Sequence, residues 1–75
     1  MTKIQATTLR FIAGFWEIHG YSPSIREIMA GIGSKSTSHV HRTVVKLTDR
    51  GYIRRHHGQR GIEVIRTPWG AANGN

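Results

Sequence analysis

Ser34-Lys35-Ser36-Thr37-Ser38-His39-Val40-His41-Arg42-Thr43-Val44-Val45-Lys46-Leu47-Thr48-Asp49-Arg50, closed by Gly51, reads as a helix with one face to bury and one to present to a polyanion. Hydroxyl side chains ahead of a helix accept hydrogen bonds from the free N–H groups of its first turn; Ser36 is the best placed to do so, and Gly51 is the natural stop. Val40, Val44 and Leu47 fall at i, i+4 and i+7 and form one apolar stripe. At about 100° per residue, the opposite side is centred on Ser38, Arg42, Val45 and Asp49, flanked by His39, His41 and Lys46. Such a face carries donors for base edges and phosphates. Any solvated surface helix also shows a charged outer face, so the choice depends on the rest of the chain.

Charge supplies part of the answer. Eleven Lys and Arg stand against four Asp and Glu, a net of +7. Residues 1–34 hold Lys3, Arg10 and Arg26 against Glu17 and Glu27, a net of +1; residues 35–66 hold Lys35, Arg42, Lys46, Arg50, Arg54, Arg55, Arg60 and Arg66 against Asp49 and Glu63, a net of +6. A basic half joined to a near-neutral half is the electrostatic footprint of a nucleic-acid binder, whose affinity comes largely from phosphate neutralisation with counterion release. An anionic membrane also attracts basic patches, but here the apolar residues are needed for a core. The 75 residues make one small domain with a limited core. The absence of cysteine removes disulfides and thiolate metal sites and fits a reducing compartment. No apolar run approaches the roughly 20 residues that cross a bilayer, and no signal-peptide core opens the chain, so a soluble cytoplasmic, nucleoid-associated protein is expected.

In chain order, Thr2 and Gln5 match a capping box that starts a first helix over Lys3–His19. Ile4, Thr8, Phe11, Ile12, Phe15, Trp16, Ile18 and His19 cover about half its circumference, leaving a narrow polar strip of Lys3, Arg10 and Glu17. Trp16 and Phe15 are therefore expected in the core. Gly20 ends the helix, and Tyr21-Ser22-Pro23 connects in extended form. Ser24 and Glu27 make a second capping box for a short helix with Ile25, Ile28, Met29 and Ile32 on one side. Gly31 and Gly33 are expected to bracket a tight turn into the third helix. Helix, glycine turn, helix is the connectivity of helix-turn-helix DNA readers, whose second helix enters the major groove.

After Gly51 the period becomes extended. Tyr52–His57 and Ile62–Arg66 read as strands, and Gly58-Gln59-Arg60-Gly61 as a hairpin loop with glycines where positive φ is needed. Ile53, Ile62 and Val64 should pack on the helices, because a two-stranded hairpin is not stable alone. A basic hairpin beside a recognition helix is a wing. Its Arg55, His57, Gln59 and Arg60 are placed to touch phosphate or the minor groove. Ser24 and Arg26 at the start of the second helix are expected on the DNA backbone. The expected recognition-helix contacts are Lys35, Ser36, Thr37, Ser38, His39, His41, Arg42, Val45 and Lys46. The fold expected is α+β, mainly α: a three-helix winged helix-turn-helix over residues 1–66 with a C-terminal two-stranded β-hairpin wing. Residues 67–75 are expected to be a disordered tail, in which Trp69 either folds back onto the domain or stays exposed as an anchor for a partner.

With these pieces in order, the sequence resembles the N-terminal DNA-binding domain of the LexA family of bacterial SOS repressors. The likeness runs from about Thr2 to Ile65. It rests on Gly20 followed by Pro23-Ser24 and Glu27-Ile28, on Gly33 with Lys35 and Ser36, on Lys46-Leu47, on Arg50-Gly51 then Ile53, and on Arg60-Gly61-Ile62. The resemblance implies a bacterial or phage transcription regulator, usually a repressor, reading an operator in double-stranded DNA. Where family members carry an asparagine and then a pair of glutamates on the recognition helix, this chain has Ser38, His41 and Arg42. Carboxylates accept from cytosine amino groups and Arg favours the guanine O6/N7 edge, so an operator other than the usual SOS sequence is expected. The family's self-cleaving Ser/Lys protease and dimerisation domain has no counterpart in these 75 residues. Autocleavage is not expected of them, and a tight complex would need a homodimer on DNA or a larger protein partner.

Other classes fare worse. Four acidic residues, none paired, and no cysteine leave little for an enzyme, and neither a cofactor nor a small-molecule substrate is expected. His39 and His41 point different ways on a helix and His56 and His57 alternate across a strand, so no metal site is expected. The serious alternative is a basic winged-helix adaptor or architectural module binding RNA, non-specific DNA or a protein. RNA readers tend to stack bases on sheet aromatics, whereas the aromatics here sit mainly in the first helix.

Overall fold

The computed structural model describes residues 1–58 and 60–69. Three helix starts follow from three hydroxyls. Thr2 Oγ1 accepts from Gln5 N at 3.2 Å while Gln5 Oε1 accepts from Thr2 N at 3.3 Å; Ser24 and Glu27 repeat this exchange at 3.2 and 2.9 Å. Ser36 Oγ accepts from His39 N at 3.1 Å, with no return bond because histidine stands where the other two helices have glutamine or glutamate. The helices are α1 (Lys3–His19), α2 (Ile25–Ile32) and α3 (Thr37–Asp49), followed by strands β1 (Ile53–Arg55) and β2 (Ile62–Val64). Gly51, at φ 80°, reverses the chain after α3: Tyr52 N donates to Leu47 O and Gly51 N to Thr48 O, both near 3 Å, which satisfies the last carbonyls. The whole is the mainly helical winged helix-turn-helix predicted from the pattern.

The core is Leu9 and Ile12 of α1, Ile28 of α2, Val40, Val44 and Leu47 of α3, and Ile53 and Ile62 of the hairpin. All three residues of the α3 stripe are fully buried, so this helix is fixed in rotation about its axis and its opposite face is held outward.

The buried arc of α1 sits differently from the expected one. It centres on Gln5, Thr8, Leu9 and Ile12, with Phe11 and Phe15 half-buried. Ile18 is 80% exposed, because it lies about 120° around the helix from Ile12. Trp16 keeps 37% of its surface in solvent, and its indole N–H donates to Ile62 O at 3.0 Å. It joins α1 to the hairpin instead of filling the centre. Gly31 lies inside α2, not in the turn after it; a Cβ there would run into the Phe11 ring.

Both strands are shorter than expected, in antiparallel register Ile53↔Val64, Arg54↔Glu63 and Arg55↔Ile62. Ile53 and Ile62 are buried and Val64 half-buried against the helices. Of the two loop glycines only Gly58 has positive φ, at 99°; Gly61 is buried, and a Cβ would run into the His56 carbonyl. Trp69 folds back, with the Arg10 guanidinium 5.2 Å from its ring centroid. Of the tail expected to be disordered over residues 67–75, residues 67–69 are described and residues 70–75 lie outside the described residues. No helix among the described residues is long and apolar enough to cross a membrane.

Candidate nucleic-acid interface

Burial of Val40, Val44 and Leu47 leaves Lys35, Ser36, Thr37, Ser38, His39, His41, Arg42, Val45 and Lys46 all exposed. Ser36 is the cap, and Thr37 Oγ1 donates to Met29 Sδ at 3.4 Å, so both hydroxyls are already partnered. The rest form an open face. Val45 keeps 54% of its surface in water, an apolar patch suited to a thymine methyl. Arg42 and Lys46, four apart, are like charges on one helix edge, a pairing that weakens an isolated helix by roughly 0.2–0.5 kcal/mol. His39, Arg42 and Lys46 border a pocket of about 200 Å³ against Thr2, Ile4 and Gln5 at the start of α1.

The cations of the basic half divide by what they touch. Arg54 lies 3.7 Å from Glu63, which also holds His56 Nε2 at 2.9 Å. These neighbours, His56 foremost, lower the Glu63 carboxyl below its ordinary range. Arg66 donates to Arg50 O at 2.9 Å and to Gly51 O at 3.4 Å, and lies 4.7 Å over the Tyr52 ring. Arg60 is the most heavily engaged, with Nη1 and Nη2 donating to the two carboxylate oxygens of Glu27 at 2.7 and 3.0 Å. Nη1 also reaches Ser22 O at 3.0 Å, and the guanidinium sits 4.7 Å over Tyr21. No hydrogen bond or ion pair to another described residue engages the Lys35, Arg42, Lys46, Arg50 or Arg55 side chain. Excess charge is thus free on α3 and on one strand of the wing, while part of the wing's charge is spent internally.

The residues expected on α3 thus share one exposed stretch, whereas those expected on the wing and at the start of α2 differ in what they touch. Arg55 and His57 are exposed. Arg60 is turned onto the α1–α2 connector, because Glu27, Ser22 O and Tyr21 together offer a planar guanidinium two acceptor groups and a ring face. That pairing spans 33 residues and leaves no local trace in the sequence. Ser24 is half-buried and occupied as the α2 cap, whereas Arg26 beside it is exposed. Gln59 lies outside the described residues. Among the described residues no group of three or more His, Asp or Glu could hold a metal ion.

Arg60 first, and then the Ser24 N–H, hold the Glu27 carboxyl down from 4.5 to about 2. A depressed carboxylate contributes stability that is whole above its unfolded value and is lost as pH falls through the folded one. The wing should consequently stay tied to α2 at pH 4.5 and loosen only towards pH 2. A carbon-detected NMR titration of the Glu27 carboxyl should give a midpoint near 2; a midpoint near 4.5 would show that the pair does not form in solution.

The profile of the LexA DNA binding domain matches residues 1–61. The LexA repressor of Granulibacter bethesdensis is 41% identical over 73 residues, covering 96% of this chain and 30% of that protein. That of Moorella thermoacetica is 43% identical over 67 residues, covering 88% and 32%, and that of Desulfatibacillum aliphaticivorans 39% over 72 residues, covering 95% and 36%. The chain thus spans about a third of the length of the curated relatives it matches. With the profile spanning all three helices and the first strand, the chain belongs to the LexA DNA-binding domain family.

Proposed function

We propose that this chain is the operator-reading module of a transcriptional repressor acting in the bacterial cytoplasm. It binds double-stranded DNA in a sequence-specific way. α3 enters the major groove, with Ser38, His41, Arg42 and Val45 towards base edges. Lys35, His39 and Lys46 flank it on phosphates, Arg26 touches the backbone, and Arg55 and His57 of the wing lie over the adjacent strand. The single observation carrying this reading is the combination on α3: a fully buried stripe, and opposite it an exposed face whose cations have no hydrogen-bond or ion-pair partner among the described residues. Two copies on adjacent half-sites would supply the affinity that one module lacks.

Selection from random duplex DNA tests it. The expected outcome is a recovered motif containing a guanine step, bound with a salt dependence set by roughly four neutralised phosphates, a log–log slope of about −3 to −4. Uniform retention of all sequences would favour an architectural role and end the operator reading.

A further inference from the structure

We propose that Arg60 is a positioning residue for DNA binding: it clamps the wing to the start of α2, so that Arg55 and His57 meet the duplex while Arg60 does not touch it. This rests on the DNA-binding reading above. Two strands of three residues each make a hairpin too small to hold its own orientation. Beyond the burial of Ile53 and Ile62 in the core, a row of bonds ties it to the end of α1, the connector after it and the start of α2. Ile62 N donates to Ser22 Oγ at 3.3 Å, the Trp16 indole N–H donates to Ile62 O at 3.0 Å, and Arg60 holds Ser22 O, both Glu27 oxygens and the Tyr21 ring. Glu27 is also the return arm of the α2 capping box. One carboxylate thereby joins the wing loop to the helix whose first turn carries Arg26.

A phosphate contact and a clamp predict opposite signs for one substitution. Glu27→Gln retains the helix cap, since glutamine serves at that position too, and raises the net charge by one. If Arg60 were a phosphate ligand held back by Glu27, this change would free it and tighten binding. A clamp requires the reverse. Arg60→Lys separates the two again, because a lysine keeps the charge for a phosphate but cannot bridge a carboxylate with a planar fork.

The experiment measures duplex affinity of the whole chain for the selected site, with amide hydrogen exchange of the free protein alongside. Glu27→Gln and Arg60→Lys should each weaken binding roughly three- to tenfold and speed exchange at the Ile62 and His56 amides by a similar factor. The loss caused by Arg55→Ala in the unmutated chain should shrink towards nothing in the Glu27→Gln background, a coupling that general destabilisation would not produce. Binding by Glu27→Gln as tight as, or tighter than, the unmutated chain overturns the proposal, as do unchanged exchange rates. If the unmutated chain retains no duplex, the proposal falls together with the DNA-binding reading, and faster exchange in both variants would still identify Arg60 as what holds the wing.

Discussion

Alanine at Arg42 is expected to cost roughly 1–3 kcal/mol of discrimination at one base pair of the selected site, while binding to unrelated duplex changes little. Arg42 is exposed on the face opposite Val40 and Val44, and no hydrogen bond or ion pair to the described residues holds its guanidinium. Its donors are available as a pair to a guanine edge. Lys46, one turn on, is a point charge better suited to phosphate, so Lys46→Ala should weaken binding to all sequences alike and reduce the salt slope by about one. Competition binding with the selected duplex, with duplexes altered at single positions, and with random DNA resolves the two patterns. If Arg42→Ala lowers affinity for every duplex by the same factor, Arg42 is a phosphate contact, and the base reading must come from Ser38, His41 and Val45.

How much of this was legible beforehand depends on how far apart in the chain the cooperating groups lie. The three caps needed only residues within three positions of one another, and Thr2 with Gln5, Ser24 with Glu27, and Ser36 stand where that local chemistry puts them. The outward face of α3 was equally readable, since a helix with one unambiguous apolar stripe has only one way to turn. The helix α1 was harder. Apolar residues cover so much of it that periodicity does not locate the centre of the buried arc, and the eventual choice of Leu9 over Ile18 is made by where α2 and α3 press against it. Least visible were the long-range polar links: Arg60 to Glu27, Trp16 to Ile62 and Arg10 to Trp69. A basic residue at a hairpin tip looks the same in sequence whether it waits for phosphate or is already held, and here the structure shows it held.

Leu9→Ala is expected to have the larger effect on stability, a loss of roughly 2–5 kcal/mol. Leu9 has no solvent-exposed surface and belongs to the cluster joining Ile12, Ile28, Val44 and Leu47, so truncation leaves a void that the packed helices refill only in part. A domain of this size has about 4–11 kcal/mol of total stability to lose. At about 4–8 °C per kcal/mol, the melting temperature should fall by at least about 8 °C. Ile18→Ala supplies the contrast. The residues are both aliphatic and both in α1, yet Ile18 is 80% exposed, and its truncation should stay within about 0.5 kcal/mol. Urea denaturation followed by circular dichroism, with slopes compared to confirm that both variants unfold from the same compact state, measures the two losses on one scale. Equal losses, or a larger one for Ile18→Ala, would mean that α1 is rotated from the position described here. The Trp16 link to the wing and the pocket beside Arg42 and Lys46 would then be misplaced with it.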